Sequence, residues 1–437
     1  MKPLLLWTDL LLWFLVAAFV LLFWWGRSQE TLRRPWRRVV QSQIAMGSLA
    51  LLLPFLAIAL LDSLHFRLEG RVVSLFDLLT EPLWSRPEKS YSAPLATHLY
   101  IKEFIPLPGG QKVWDYPRLR YGGAHLQDPS QKWPDILITA LSGGAKGGAL
   151  WLAVTGLVWL KLRRPPRFAW QAPFLVLLLV AILGGAGWAL SQKYHLLGTD
   201  KVGEDVLYQS LKAIRTGLII GTLTTLITLP FALIFGMVAG YFGGWLDDLI
   251  QYLYTTLSAI PSVLLIAAAI LIMQVTMARF EERFADMALR ADFRLLFLCA
   301  ILGVTSWTGL CRLLRAETLK LREMEFVQAA KILGLSEPMI LMRHILPNLL
   351  HIVLIVVVLD FSGLVLAEAV LSYIQIGVDP TTYSWGNMIN RARLELARDP
   401  PVWWTLTAAF LFMSLLVLAA NLFADVVREA FNPRSER

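Results

Sequence analysis

Hydrophobic runs long enough to cross a bilayer dominate this sequence. A helix needs about 20 predominantly apolar residues to span the hydrocarbon. Such runs occur at Pro3–Trp25, Ile44–Leu61, Ile136–Leu160, Ala169–Leu190, Gly217–Gly240, Leu249–Val275, Leu295–Leu313, Leu349–Tyr373 and Val402–Phe423. Length alone therefore predicts an all-α polytopic membrane protein with about nine transmembrane helices. Composition agrees: 57% of the 437 residues are hydrophobic and 16% are charged, against about 25% charged in an ordinary soluble domain. A water-soluble globule is nearly ruled out, and so is a disordered chain.

The net charge of +8 would raise nucleic acid as a partner in a soluble protein. Here the cations sit at the ends of apolar runs, where membrane topology accounts for them, so no nucleic-acid partner is expected. Arg27, Arg33, Arg34, Arg37 and Arg38 follow the first run. They place that side in the cytosol and make the run an uncleaved helix with its N-terminus outside. Lys161, Arg163, Arg164 and Arg167 mark a second cytosolic loop. Counting spans then puts Ser191–Lys212 outside and Arg315–His344 inside, and the C-terminus with Arg428, Arg434 and Arg437 inside as well. Two loops fit poorly: Tyr241–Asp248 lacks a cation, and Ala278–Arg294, expected outside, carries four Arg.

Asp62–Pro134 is the one sizeable hydrophilic block. Its Pro, aromatic and Gly content, with turn signals at Pro108-Gly109-Gly110 and Tyr121-Gly122-Gly123, predicts a small extramembrane insertion of irregular or β structure. Enzyme signatures are missing. No G-x-x-x-x-G-K-[ST], H-E-x-x-H, C-x-x-C or G-x-S-x-G occurs, and the six His are scattered singly, so neither ATP hydrolysis in this chain nor a metal site is expected. Ser142 to Gly148, glycine-rich with Lys146 inside an apolar run, reads as a close helix-packing surface. Cys299 and Cys311 stand about 18 Å apart along one helix, too far for a disulfide.

The informative stretch is the inside loop Glu323 to Asn348. Met324 to Leu333 reads as a short helix that Gly334 terminates. Ser336 can cap the next helix, with Pro338 in its first turn, and Pro347 is expected to break the chain before the next span. Two short helices with Ala329 and Ala330 on one side would make a compact knob suited to a partner's groove. An amphipathic connector lying on the lipid surface fits the pattern equally well.

Here the sequence resembles a known family. Gln328-Ala329-Ala330, Gly334 and Leu346-Pro347 match the EAA loop of binding-protein-dependent ABC importer permeases. Three further blocks match the oligopeptide/dipeptide C-type subunits in order and spacing. They are Leu197-Gly198-Thr199-Asp200 with Gly203 and Asp205-Val206-Leu207; Ala239 to Asp247 followed by Ile260-Pro261-Ser262; and Ala367 to Tyr373 with Gly377-Val378, Ser384 to Met388 and Phe431 to Arg434. The sequence departs from that pattern at Gln328, where an acidic residue is usual, at Glu204, where Arg is usual, and in its extra spans before residue 196.

The resemblance implies a type I permease helical bundle at 196–437 with its coupling loop at 323–347. Ahead of it stand N-terminal helices at 1–61, a periplasmic insertion at 62–134 and additional helices at 135–195. It implies half of a peptide pathway in the bacterial cytoplasmic (inner) membrane. The partners would be a homologous B-type permease, two cytosolic ATPase subunits that bind the ATP, and a periplasmic substrate-binding protein. Glu325, Gln328, Ala329, Ala330, Gly334, Arg343 and Pro347 would couple to the ATPases, and the outer loops Leu197–Lys212 and Gly377–Ala397 would meet the binding protein. Asp360 and Glu368, about 80° apart around one span, are expected to line the pathway or pack helices together. Alternatives are a permease for nickel, sugars or opines, and a membrane-embedded enzyme or assembly factor using the 62–134 block.

Overall fold

The computed structural model describes residues 2–26, 30–68, 71–106, 112–162, 168–280, 284 and 286–431. Arg27, the Pro108-Gly109-Gly110 turn, Arg163, Arg164, Arg167, Glu281, Glu282, the tail from Asn432 to Arg434, and Arg437 lie outside the described residues. The helices are α1 (Trp7–Gly26), α2 (Glu30–Gln41), α3 (Gln43–Asp62), α4 (Leu75–Leu79), α5 (Glu81–Trp84), α6 (Lys132–Leu162), α7 (Gln171–Ser191), α8 (Val206–Phe242), α9 (Gly244–Ala259), α10 (Ser262–Arg279), α11 (Met287–Arg322), α12 (Glu325–Ile332), α13 (Glu337–Ile340), α14 (Leu346–Tyr373), α15 (Trp385–Glu395) and α16 (Trp404–Phe431). The strands are β1 (Lys2–Leu4), β2 (His65–Leu68), β3 (Arg71–Ser74), β4 (Glu103–Pro106) and β5 (Lys112–Asp115).

Among the described residues, seven helices are long and apolar enough to cross a membrane: α3, α6, α7, α8, α10, α14 with the turn before it, and α16. The other two expected segments are helical too. Pro3–Trp25 falls largely on α1, whose described apolar part is the shorter Trp7–Ala18, and Leu295–Leu313 lies inside the 36-residue α11. One expected span is corrected. Leu249–Val275 is not a single helix, because Ile260 turns to an extended backbone ahead of Pro261 and separates α9 from α10. The residue before a proline is pushed out of the helical region.

The chain divides into two compact units. The first comprises Met1–Leu5, Trp36–Gly217 and Thr382–Val426. In it α6 and α7 pack along a glycine seam. A Cβ on Gly147 would lie 2.1 Å from the Ala181 carbonyl oxygen, and one on Gly143 would lie 2.5 Å from that of Gly185. Two residues four apart on one helix thus meet two residues four apart on the other, at backbone distance. The glycines of Ser142–Gly148 pack rather than break, and α6 runs unbroken for 31 residues.

The hydrophilic block is partly β, as expected. β1, β2 and β3 form an antiparallel sheet with Lys2 opposite Arg67 and Phe66 opposite Val73. β1 thereby holds the N-terminal residues on the same side of the membrane as the insertion. The Tyr121-Gly122-Gly123 turn forms with Gly123 at φ +69. A buried ion cluster ties the insertion to α8: Lys212 donates to Asp62 (2.6 Å) and to Asp77 (2.9 Å), and the Tyr208 hydroxyl donates to Asp77. Burial would raise the Asp77 carboxyl, but the Lys212 charge and the hydrogen bonds from Ser74, Lys212 and Tyr208 hold it below the ordinary range.

The second unit comprises Leu6–Pro35, Leu218–Thr381 and Val427–Arg437. Its core forms where α8 crosses α11. A Cβ on Gly236 would lie 2.8 Å from Leu314 Cβ, and one on Gly303 would lie 2.6 Å from Ile227 Cγ2. Ala232, Trp307, Leu310, Leu314 and Leu349 fill the contact. α1 joins this unit through Asp292 of α11, whose carboxylate accepts from the Trp7 N–H (2.8 Å) and from the Thr8 hydroxyl. A carboxylate at a helix N-terminus satisfies donors that the helix itself leaves open. Cys299 and Cys311 are both free and buried.

Candidate functional site

The loop after α11 is held by backbone geometry. Met324, extended at φ −73 and ψ 144, opens α12, and Gly334 at φ +75 closes it. The Leu335 N–H reaches the Ala330 carbonyl (3.2 Å) and the Gly334 N–H reaches that of Lys331 (3.0 Å), so the last turn is closed by a left-handed residue. Ser336 occupies the cap position of α13, with Pro338 in the first turn, but its side chain makes no cap bond. The expected break at Pro347 does not occur. A π-turn at Leu341–Ile345 runs directly into α14, with Pro347 in that helix's first turn, where its missing N–H costs nothing.

The two alanines do not share a side. Ala330 is buried with Val327, Ile340 and Ile345 against Leu310 and Leu314, whereas Ala329 is exposed. Adjacent residues on a helix point about 100° apart, so one can enter the core while the other faces out. The outward surface carries a row that sequence reasoning missed: Phe326, Ile332, Leu333, Met339 and Met342, with Ile332 84% exposed and Leu333 80% exposed. The readable signal was an eight-residue helix with apolar residues on more than its core face, more than burial needs. Glu325, Arg343 and Pro347 are exposed as well. Gln328 donates through Nε2 to the Arg322 carbonyl (3.0 Å) and fastens the corner between α11 and α12.

Asp247, in the first turn of α9, pairs with Arg315 of α11. The hydrogen bond and charge of that guanidinium hold its carboxyl below the ordinary range. This pair clamps α9 to α11 near the coupling loop. Asp360 and Glu368 are not brought together. Asp360 is exposed, while Glu368 is 1% exposed and accepts from the Ser372 hydroxyl (2.6 Å). Ser372 Oγ in turn accepts from the Val378 N–H, so Glu368 belongs to a knot that shapes the end of α14.

The Leu-Gly-Thr-Asp block is equally closed. Gly198 at φ +75 and Gly203 at φ +81 shape a loop in which Asp200 accepts from the Val202 and Glu204 N–H groups and from Gln209. Asp205 caps α8 through the Leu207 N–H and accepts from His195 Nδ1 (2.8 Å). His195 Nε2 stands 3.4 Å from Glu88 Oε1, and Glu88 also accepts three backbone N–H groups, from Arg120, Tyr121 and Gly122. Burial alone would discharge this imidazole, but Asp205 and Glu88 outweigh it and raise its pKa to about 9. Burial opposes the Glu88 charge too, yet the donors around it hold the carboxyl down to about 2.

The family model described as "Binding-protein-dependent transport system inner membrane component" matches residues 232–437. The oligopeptide transport system permease protein OppC of Mycobacterium bovis is 30% identical over 241 residues, covering 55% of this chain and 76% of the relative. OppC of Haemophilus influenzae is 30% identical over 241 residues, covering 55% of this chain and 71% of that protein. The dipeptide transport system permease protein DppC of Bacillus subtilis is 27% identical over 243 residues, with 56% and 70% covered. The helical architecture, the four motif blocks and this span of similarity agree: the chain belongs to the family of inner membrane components of binding-protein-dependent transport systems, as a multi-pass, non-catalytic permease subunit.

Proposed function

We propose that this subunit forms half of a peptide pathway across the bacterial cytoplasmic membrane. In this reading it pairs with a homologous B-type permease, two ATPase subunits work at the cytosolic loop 323–347, and a periplasmic binding protein delivers the peptide. The peptide class rests on the similarity to oligopeptide and dipeptide permeases. One observation supports the coupling role: α12 buries Val327 and Ala330 in the core of its unit while Phe326, Ile332 and Leu333 face outward. A lever needs one face fixed to the moving helices and another free for the partner. Closure of the ATPases then shifts a two-state equilibrium of the helices through this contact. Within the reading, 62–134 is a periplasmic insertion, Glu325, Gln328, Ala329, Gly334 and Arg343 belong to the coupling surface, and Ala330 and Pro347 set its geometry.

The test is Gly334→Leu. A side chain at φ +75 costs about 1–2 kcal/mol of left-handed strain and redirects the turn between α12 and α13. Peptide uptake should fall to background while the protein still inserts and assembles. Undiminished uptake would count against the coupling role.

A further inference from the structure

Of the two outer loops expected to meet the binding protein, the one that begins at Leu197 is covered by the chain itself. Residues 86–100 of the insertion lie across it: Thr199 donates to the Ser90 carbonyl, Ser92 N–H donates to Thr199 Oγ1, and Glu88 N–H donates to the Gly203 carbonyl. The approach is at backbone distance, since a Cβ on Gly203 would lie 1.8 Å from the Glu88 carbonyl oxygen. Thr199, Asp200 and Asp205 are buried in consequence, and the loop's exposed apolar side chain is Val202 at its tip.

What the insertion presents instead is the β4–β5 hairpin. Phe104 and Trp114 face each other across the strands with ring centroids 4.6 Å apart. Phe104 is 65% exposed, Trp114 54%, and Ile101, Val113 and Tyr116 are exposed around them. Lys102, Lys112 and Asp115 alternate with these side chains and are exposed too. Aromatic anchors within a charged surround have the composition of a protein-recognition surface, and among the described residues the two-stranded ribbon pairs with no third strand. Charged side chains stand among the apolar groups of this ribbon, and the hydrocarbon of a bilayer would have to bury them.

The hairpin also has a rigid stalk. Below it Leu119 N–H bonds the Thr97 carbonyl and Leu99 N–H bonds that of Pro117. Tyr100 at the hairpin's foot packs edge-on against Trp404 of α16 at 4.8 Å and donates to the Pro401 carbonyl. The Trp404 indole donates to the Thr199 carbonyl. A load on the hairpin therefore reaches both a membrane helix and the covered loop.

We propose that the β4–β5 hairpin, with Phe104 and Trp114 as anchors, is the docking site for the system's substrate-binding protein, replacing the loop Leu197–Asp205 that the insertion seals. The proposal rests on the importer reading, and the family's own description requires a binding protein.

The experiment uses the whole transporter in nanodiscs and measures ATPase stimulation against concentration of the peptide-loaded binding protein. Phe104→Ser with Trp114→Ser should raise the half-maximal concentration about tenfold or more without shifting the melting temperature. Val202→Ser should leave it where it was. A benzophenone placed at Val113 should cross-link to the binding protein, which keeps the test open if the double variant folds poorly. An unchanged half-maximal concentration, a loss confined to Val202→Ser, or no cross-link overturns the docking site. So does quenching of Trp114 by brominated lipid with no binding protein present, read as wild type minus Trp114→Phe, because the hairpin would then lie on the bilayer. A wild-type transporter that no binding protein stimulates overturns the importer reading itself.

Discussion

His195 carries a charge because two carboxylates surround it, Asp205 from the same loop and Glu88 from the insertion, the latter already fixed by three backbone N–H groups. Its folded pKa of about 9 stands above the ordinary 6.5, so its stabilisation is complete below pH 6.5 and is lost as pH rises through about 9. Glu88 has the opposite sign: held at about 2 against 4.5, it contributes above pH 4.5 and is lost as pH falls toward 2. The melting temperature should therefore fall on the alkaline side between pH 6.5 and 9. His195→Gln should cost about 3–5 kcal/mol at neutral pH, by leaving buried carboxylates unpaired, and should flatten that alkaline slope. An unaltered slope in the variant would reject the assignment. The sequence showed six isolated histidines, and nothing local marks this one: Glu88 lies 107 positions away. Gly334 was legible for the opposite reason, since a left-handed stop is a property of the residue itself. The Asp247–Arg315 pair was hidden for the same reason as the His195 cluster, with partners on different helices.

At the scale of elements, apolar length located the membrane helices but could not say which prolines interrupt them. Pro261 separates two helices, whereas Pro347 begins one, and the difference lies in the turn before each. Ile260 is extended, while Leu341–Ile345 forms a π-turn that carries the helical path through. The pairing of α6 with α7 is where sequence reasoning reached furthest, because small residues four apart announce a close contact whichever helix supplies the partner. A prediction separates packing glycines from the rest. Gly147→Val meets the Ala181 carbonyl and should cost about 1–3 kcal/mol or more, read as a lower melting temperature in detergent. At Gly156 nothing apart from its chain neighbours and its own helix backbone lies within 4 Å of the added Cβ, so Gly156→Leu should be neutral or stabilising. Equal losses at both sites would show that intrinsic helix preference, not the seam, governs this pair.

For the whole molecule, the decisive element is α11. The predicted topology places the coupling loop in the cytosol only if this helix crosses the membrane. Its 36 residues rise about 54 Å, well beyond the roughly 30 Å of hydrocarbon. The stretch free of charged side chains, Leu295–Cys311, is shorter, and Arg294 and Arg312 stand at its two ends. That spacing suits a span whose arginines extend toward opposite interfaces. The preceding loop was hard to orient because Ala278–Arg294 carries four Arg where the charge rule wants few. The structure commits two of its charged side chains internally, Arg294 to the Gly377 carbonyl and Asp292 to the start of α1, contacts that no charge count anticipates. Cysteine labelling resolves the question on a quiet background, since Cys299 and Cys311 are both 0% exposed. Met287→Cys opens α11 and Leu333→Cys caps α12, in the loop beyond the other end of α11, on side chains 73% and 80% exposed. A membrane-impermeant maleimide should label Met287→Cys in spheroplasts and Leu333→Cys only in inverted vesicles. Labelling of both from one side would mean that α11 does not cross, and the coupling surface would then face away from any cytosolic ATPase.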